Sequence, residues 1–144
     1  MNHRDYIDQA IKVAKRSSHK KFMMGAVVVN RQGEIIANGW QHSGTWRMRE
    51  LYSTHAELHC LFKLRHMKGQ LDDCEIYVAG VARKSGNIVR AAPCIRCATS
   101  LFHAGFKHVY FSTPNPISSH IPVVMNNVLE LVLSSANCKE YPVP

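Results

Sequence analysis

Two thiols, Cys94 and Cys97, lie three residues apart in the run Pro93-Cys94-Ile95-Arg96-Cys97, followed by a helical pattern of Ala98, Leu101, Phe102 and Ala104. Thiols at i and i+3 in a first helical turn face one point, and the free N–H groups and positive end of the helix favour their thiolate form. Such a pair is a metal clamp. The stretch His55-Ala56-Glu57, upstream, offers an imidazole that completes three ligands of the type zinc prefers and leaves a fourth tetrahedral position for water. Glu57, two residues from that imidazole, is placed to handle the protons of such a water. A second arrangement uses the same helix. His59 is one turn beyond His55, so His55, His59, Cys94 and Cys97 could form a closed Cys2His2 site, the mark of a structural zinc-binding module without catalysis.

The rest of the chain must deliver these groups to one place. At 144 residues it reads as a single domain, 1–144, large enough to bury a core without disulfides. Five cysteines, an odd number, with no signal-peptide pattern point to a reducing compartment, and a cytoplasmic protein is expected. No apolar run approaches the roughly 18 residues of a membrane-spanning helix. The formal charge of +8 favours anionic partners, without naming one.

Tyr6, Ile7, Ala10, Ile11 and Ala14 recur at helical spacing over 4–17. Residues 22–29 read as a buried strand, 31–33 as a turn and 34–40 as the returning strand of a hairpin. Gly25 inside the first strand suggests the close approach of a ligand or another backbone. The pattern lapses over 41–54, where Ser53-Thr54 is a plausible cap for a helix at about 55–67. A third strand at 75–81, the cysteine helix and a fourth strand at 108–112 follow. Val124, Val128, Leu131 and Val132 suggest a helix over 121–133, and 139–143 a final edge strand with its proline at 142. A helix between the last two strands would make them parallel. The order predicts an α/β/α three-layer fold, a five-stranded mixed sheet with helices on both faces.

His-x-Glu followed by Pro-Cys-x-x-Cys is the signature of the zinc-dependent nucleobase deaminases, and the hairpin with Gly25-Ala26-Val27, the Gly39-Trp40 strand end and the 104–110 segment fall in the order of that group. The chain therefore resembles the cytidine and deoxycytidylate deaminase superfamily. The resemblance implies one Zn2+ per chain on His55, Cys94 and Cys97, with Glu57 as proton shuttle. It also implies substrate contacts from Gly25, Ala26 and Ala56, and from Gln41, which stands where relatives commonly carry a sugar-binding asparagine, with His42 beside it. Trp46 is a candidate to flank the base, and Arg90 and Arg96 are cations near the cysteine motif suited to phosphate.

The expected reaction is hydrolytic deamination of a cytosine nucleotide such as dCMP, releasing ammonia. Deamination of cytosine or adenine in single-stranded DNA or RNA is the alternative, so nucleic acid is the second partner class. A helix between the fourth and fifth strands resembles the deoxycytidylate and polynucleotide branches, since free-nucleoside cytidine deaminases close with an antiparallel pair. Relatives commonly assemble, and a homo-oligomer is expected; no membrane partner is.

Overall fold

The computed structural model describes residues 1–43, 53–67, 69–114, 123–133 and 141–142. Helix α1 (His3–Ala14) starts at a reciprocal cap. The Asn2 side chain accepts from the Asp5 N–H, and the Asp5 carboxylate accepts from the Asn2 N–H. Tyr6, Ile7, Ala10, Val13 and Ala14 form its buried stripe. Strand β1 (Phe22–Val29) pairs antiparallel with β2 (Ile35–Trp40) through the turn at Gly33, whose φ of 83° suits glycine. Two-residue strands β3 (His42–Ser43) and β4 (Ser53–Thr54) pair with each other and lead into α2 (Ala56–Lys63) and a 3-10 turn at Arg65–Met67. Thr54 is thus a strand residue, and His55 takes the N-cap position expected of Ser53-Thr54.

Strand β5 (Glu75–Ala82) lies antiparallel to the whole of β1, from Phe22↔Ala82 to Val29↔Glu75. Its other side takes β6 (Ile88–Val89) and, parallel, β7 (His108–Ser112), with α3 (Ile95–Ala104) as the crossover. Gly105 at φ 110° stops α3.

The C-terminal part departs from expectation. Val123–Asn127 is a strand, β8, and only Val128–Leu133 is helical, α4. β8 runs antiparallel to β7, so β7 and the next strand are not parallel neighbours. Five residues, three of them Val123, Val124 and Met125, suit a pleated edge as well as a helix, and pairing to β7 decides between them. The Val128 N–H then donates to the Lys107 carbonyl and starts the helix. Strand β9 (Tyr141–Pro142) follows at the edge. The principal sheet therefore runs β2-β1-β5-β7-β8-β9, with β6 alongside β5, one strand more in its main path than the five expected.

Two cores flank this sheet. One joins α2, α3 and α4 to Ala26, Val28, Ile76, Val78, Val109 and Phe111. The other, under α1, includes Tyr6, Val27, Tyr77 and Tyr110. At the end of the sheet where β5 begins, His3 stacks on Tyr110 and hydrogen-bonds Tyr77, whose hydroxyl donates to Glu75. No helix among the described residues is long and apolar enough to cross a membrane.

Candidate metal and catalytic site

Helices α2 and α3 begin at the same point. His55 is the N-cap of α2 and Cys94 the N-cap of α3, and the Cys94 sulfur accepts from the Cys97 N–H at 3.5 Å. Strand β2 brings α2 there because it allows a close approach of backbones: a Cβ on Gly39 would lie 2.5 Å from the Ala56 carbonyl oxygen and 2.8 Å from Cys60 N. The buried Cys60 thiol donates to the Ala26 carbonyl at 3.6 Å, fastening the same helix to β1. Burial holds the Cys60 pKa well above the usual thiol range, so it is inert.

The His55 Nδ1 atom lies 3.2 Å from the Cys97 sulfur and 3.7 Å from that of Cys94, and all three ligand atoms fall within 4.8 Å of one another. Tetrahedral zinc with the usual bond lengths separates N from S by about 3.6 Å, and the observed distances bracket that value. The three residues fit zinc, with His55 offering Nδ1. Burial, then the Arg96 charge, lowers the His55 pKa and keeps the imidazole in the neutral form a metal requires. Cys97 is different. In the metal-free chain burial, then the nearby Glu57 charge, pushes its thiol up.

Glu57 is 5% exposed beside the ligands. Burial raises its carboxyl to about 6, against lowering hydrogen bonds from its own N–H and from Cys97. A cleft of about 180 Å³ opens at this point, lined by Gln41, His55, Ala56, Glu57, Ala91, Ala92, Cys94 and, from the sheet, Met24 and Val78. A small, largely apolar cleft with an amide and a carboxyl group among its lining residues suits a heterocyclic ring. Met24 and the Ala91-Ala92 pair were not among the sequence candidates. Strand parity, Met24 pointing away from α1, is the signal that could have found the first.

The other candidates are dispersed. The neighbour that Gly25 admits is helix α1, not a ligand: a Cβ there would sit 2.3 Å from Ala14 N and 2.4 Å from the Ala10 oxygen. Ala26 is fully buried in the core beneath α2. His42 donates through Nδ1 to the Trp40 carbonyl at 2.9 Å and stands edge-on to His59. His59 accepts the Trp40 N–H at Nδ1, 3.2 Å away, and pins the end of β2 to α2. Its place outside the ligand group removes the closed Cys2His2 arrangement. Arg90 lies over Phe111, 5.2 Å from the ring centroid, and Arg96 is exposed on the first turn of α3. Neither is among the described residues lining the cleft. Trp46 lies outside the described residues.

The cytidine and deoxycytidylate deaminase zinc-binding region matches residues 1–113. The chain belongs to that family, zinc-dependent hydrolases acting on a nucleobase C–N bond, and it takes one Zn2+. No curated protein matches the sequence. Among solved structures, cytidine deaminase from Burkholderia pseudomallei is similar at 19% identity, with a TM-score of 0.65 over 91% of this chain and 96% of that one. The dCMP deaminase of cyanophage S-TIM5, in complex with dCMP and dUMP, gives 21% identity and 0.61, over 90% and 88%. Cytidine deaminase from Mycobacterium leprae gives 18% and 0.56, over 92% and 98%. At these identities the likeness is one of fold.

Proposed function

We propose that this protein, read as one domain over 1–144, hydrolytically deaminates the cytosine ring of a nucleotide, with His55, Cys94 and Cys97 as zinc ligands and Glu57 as the catalytic acid and base. The observation that carries this is the buried Glu57 carboxyl in the same small cleft as His55 and Cys94, whose ligand atoms converge with that of Cys97 just behind them. Zinc in that site supplies Lewis-acid activation of water, lowering its pKa to about 7. Glu57 does the proton work. The Glu57 carboxylate accepts the proton of the water that adds at C4 and passes it to the ring nitrogen. It then takes the proton of the new C4 hydroxyl and delivers it to the exocyclic nitrogen, so that the C4–N bond breaks, a C4 carbonyl forms and ammonia leaves. Met24 and Val78 offer the ring an apolar surface, and the Gln41 amide is within the same walls to meet the sugar or base edge.

A nucleotide is favoured over a nucleoside by the exposed cations at this end of the sheet, among them Arg83, Lys84 and Arg96. The parallel closure that would also favour nucleotides is not formed. The antiparallel β7–β8 pair instead supports a second reading, free cytidine. We place the enzyme in the cytoplasm, as a homo-oligomer. Ammonia release from cytidine, CMP, dCMP, adenosine and guanine decides the substrate: a kcat/KM for dCMP at least ten-fold above that for cytidine is expected, and the reverse order would establish the nucleoside reading.

A further inference from the structure

Among the described residues the acidic groups are unevenly placed along the strand axis. Residues 9–33 and 76–129 contain no aspartate or glutamate. Asp5, Glu34, Asp72, Asp73 and Glu75 lie where β1 ends, β2 starts and β5 starts, mixed with cations such as Arg4 and Arg31. At the opposite end, where the cleft opens, Glu57 is the sole acid among the described residues, and it is buried. The cations there form one surface rather than scattered points. Lys20 and Lys21 precede β1, and Arg83 and Lys84 follow β5, all exposed. The Arg83 N–H donates to the Lys21 carbonyl at 2.9 Å, and its guanidinium donates to the Ser17 and His19 carbonyls, which joins the two loops.

In the middle of this shelf stands Phe22, 44% exposed. Side chains two apart on a strand share a face, so Phe22 points to the same side as Met24, about 7 Å further out. Met24 lines the cleft. An exposed aromatic ring one step from a base-sized slot, surrounded by cations and lacking acids, is the arrangement that binds single strands, in which successive bases stack while cations follow the phosphates.

We propose that this shelf binds single-stranded nucleic acid, with the base adjoining the target stacked on Phe22 and its phosphates held by Lys20, Lys21 and Lys84. This rests on the deaminase reading above and deepens it, by making the nucleotide part of a chain. An anionic membrane surface would use the cations too, but offers nothing to the cleft beside them.

The test uses zinc-loaded protein and fluorescein-labelled 12-nucleotide oligodeoxycytidylate and its ribonucleotide counterpart, with binding read by anisotropy at several salt concentrations and ammonia release read in parallel. Phe22→Ser is expected to weaken binding between about 5- and 150-fold, the range for loss of one stacked base. Lys20→Glu with Lys21→Glu is expected to weaken it further and to reduce the salt slope by about 0.7 for each phosphate no longer neutralised. Lys84→Glu, on a separate loop, repeats the test without disturbing the β1 end. Tighter binding of one oligonucleotide type names the strand. Binding that ignores all three changes overturns the proposal, as does capture by phosphatidylserine vesicles that displace the oligonucleotide equally from wild type and Phe22→Ser. Turnover of free dCMP with no oligonucleotide binding sinks this proposal alone; oligonucleotide binding without turnover of any cytosine substrate sinks the deaminase reading alone.

Discussion

Glu57 carries opposite demands. Its burial raises the carboxyl to about 6, so the folded chain without metal binds that proton more tightly than the unfolded chain does. The resulting stability is full below about pH 4.5 and is lost as pH rises through 6, a difference of about 2 kcal/mol. Glu57→Gln, which has no proton to lose, should therefore gain about 2 kcal/mol on the wild type between pH 4 and pH 8 in the metal-free protein, measured by urea unfolding. The same change should cut kcat by about 10²- to 10⁴-fold while zinc stays at one per chain by atomic absorption. Zinc uptake should release protons, because the Cys97 thiol is protonated in the metal-free site; calorimetry in buffers of different ionisation enthalpy would show at least one per zinc at pH 7. At this scale the sequence is most legible. The spacing of Cys94 and Cys97 needs only one helical turn, and His55 and Glu57 need only one helix start. His59 shows the limit: a one-turn separation puts two imidazoles on a common face, but the end of β2 is the nearer claimant for the second ring.

Among the elements, two glycines separate packing from chemistry. Gly25 lets α1 lie on β1, and Gly39 lets α2 lie on β2, yet only α2 starts at the metal. Gly25→Ala should lower stability by about 1–3 kcal/mol with near-normal zinc content, whereas Gly39→Ala should cost a similar amount and also lose zinc affinity and kcat/KM, because the His55 end of the helix must shift. Thermal unfolding with metal analysis checks both. Sequence alone cannot tell such glycines from ligand-facing ones, since a missing Cβ makes room without saying for what. The 123–133 stretch misleads for a related reason. Val124, Val128, Leu131 and Val132 fit a helical repeat, but the strand ends at Asn127 and the helix starts at Val128, so one apolar series serves two elements. Which period holds is set by the free edge of β7, a neighbour far away in sequence.

For the whole molecule, the acids of the described residues gather at one end of the strands and leave the exposed cations of the cleft end without acidic neighbours among them, an arrangement that favours the approach of an anion there. If the substrate is a nucleotide, kcat/KM for dCMP should fall several-fold between 50 mM and 500 mM salt while that for cytidine stays level, a contrast that steady-state rates would show. Such a field could not be read from a net charge of +8, because its direction depends on how the sheet orders the loops. The shared starting point of α2 and α3 has a consequence of another kind. A metal on His55 and on Cys94 and Cys97 ties together parts of the chain that are 39 positions apart, which makes it a removable cross-link. Its binding free energy is then part of the folding free energy. Chelation should lower Tm and quicken amide exchange in the first turns of both helices, and restored zinc should bring back order and turnover together.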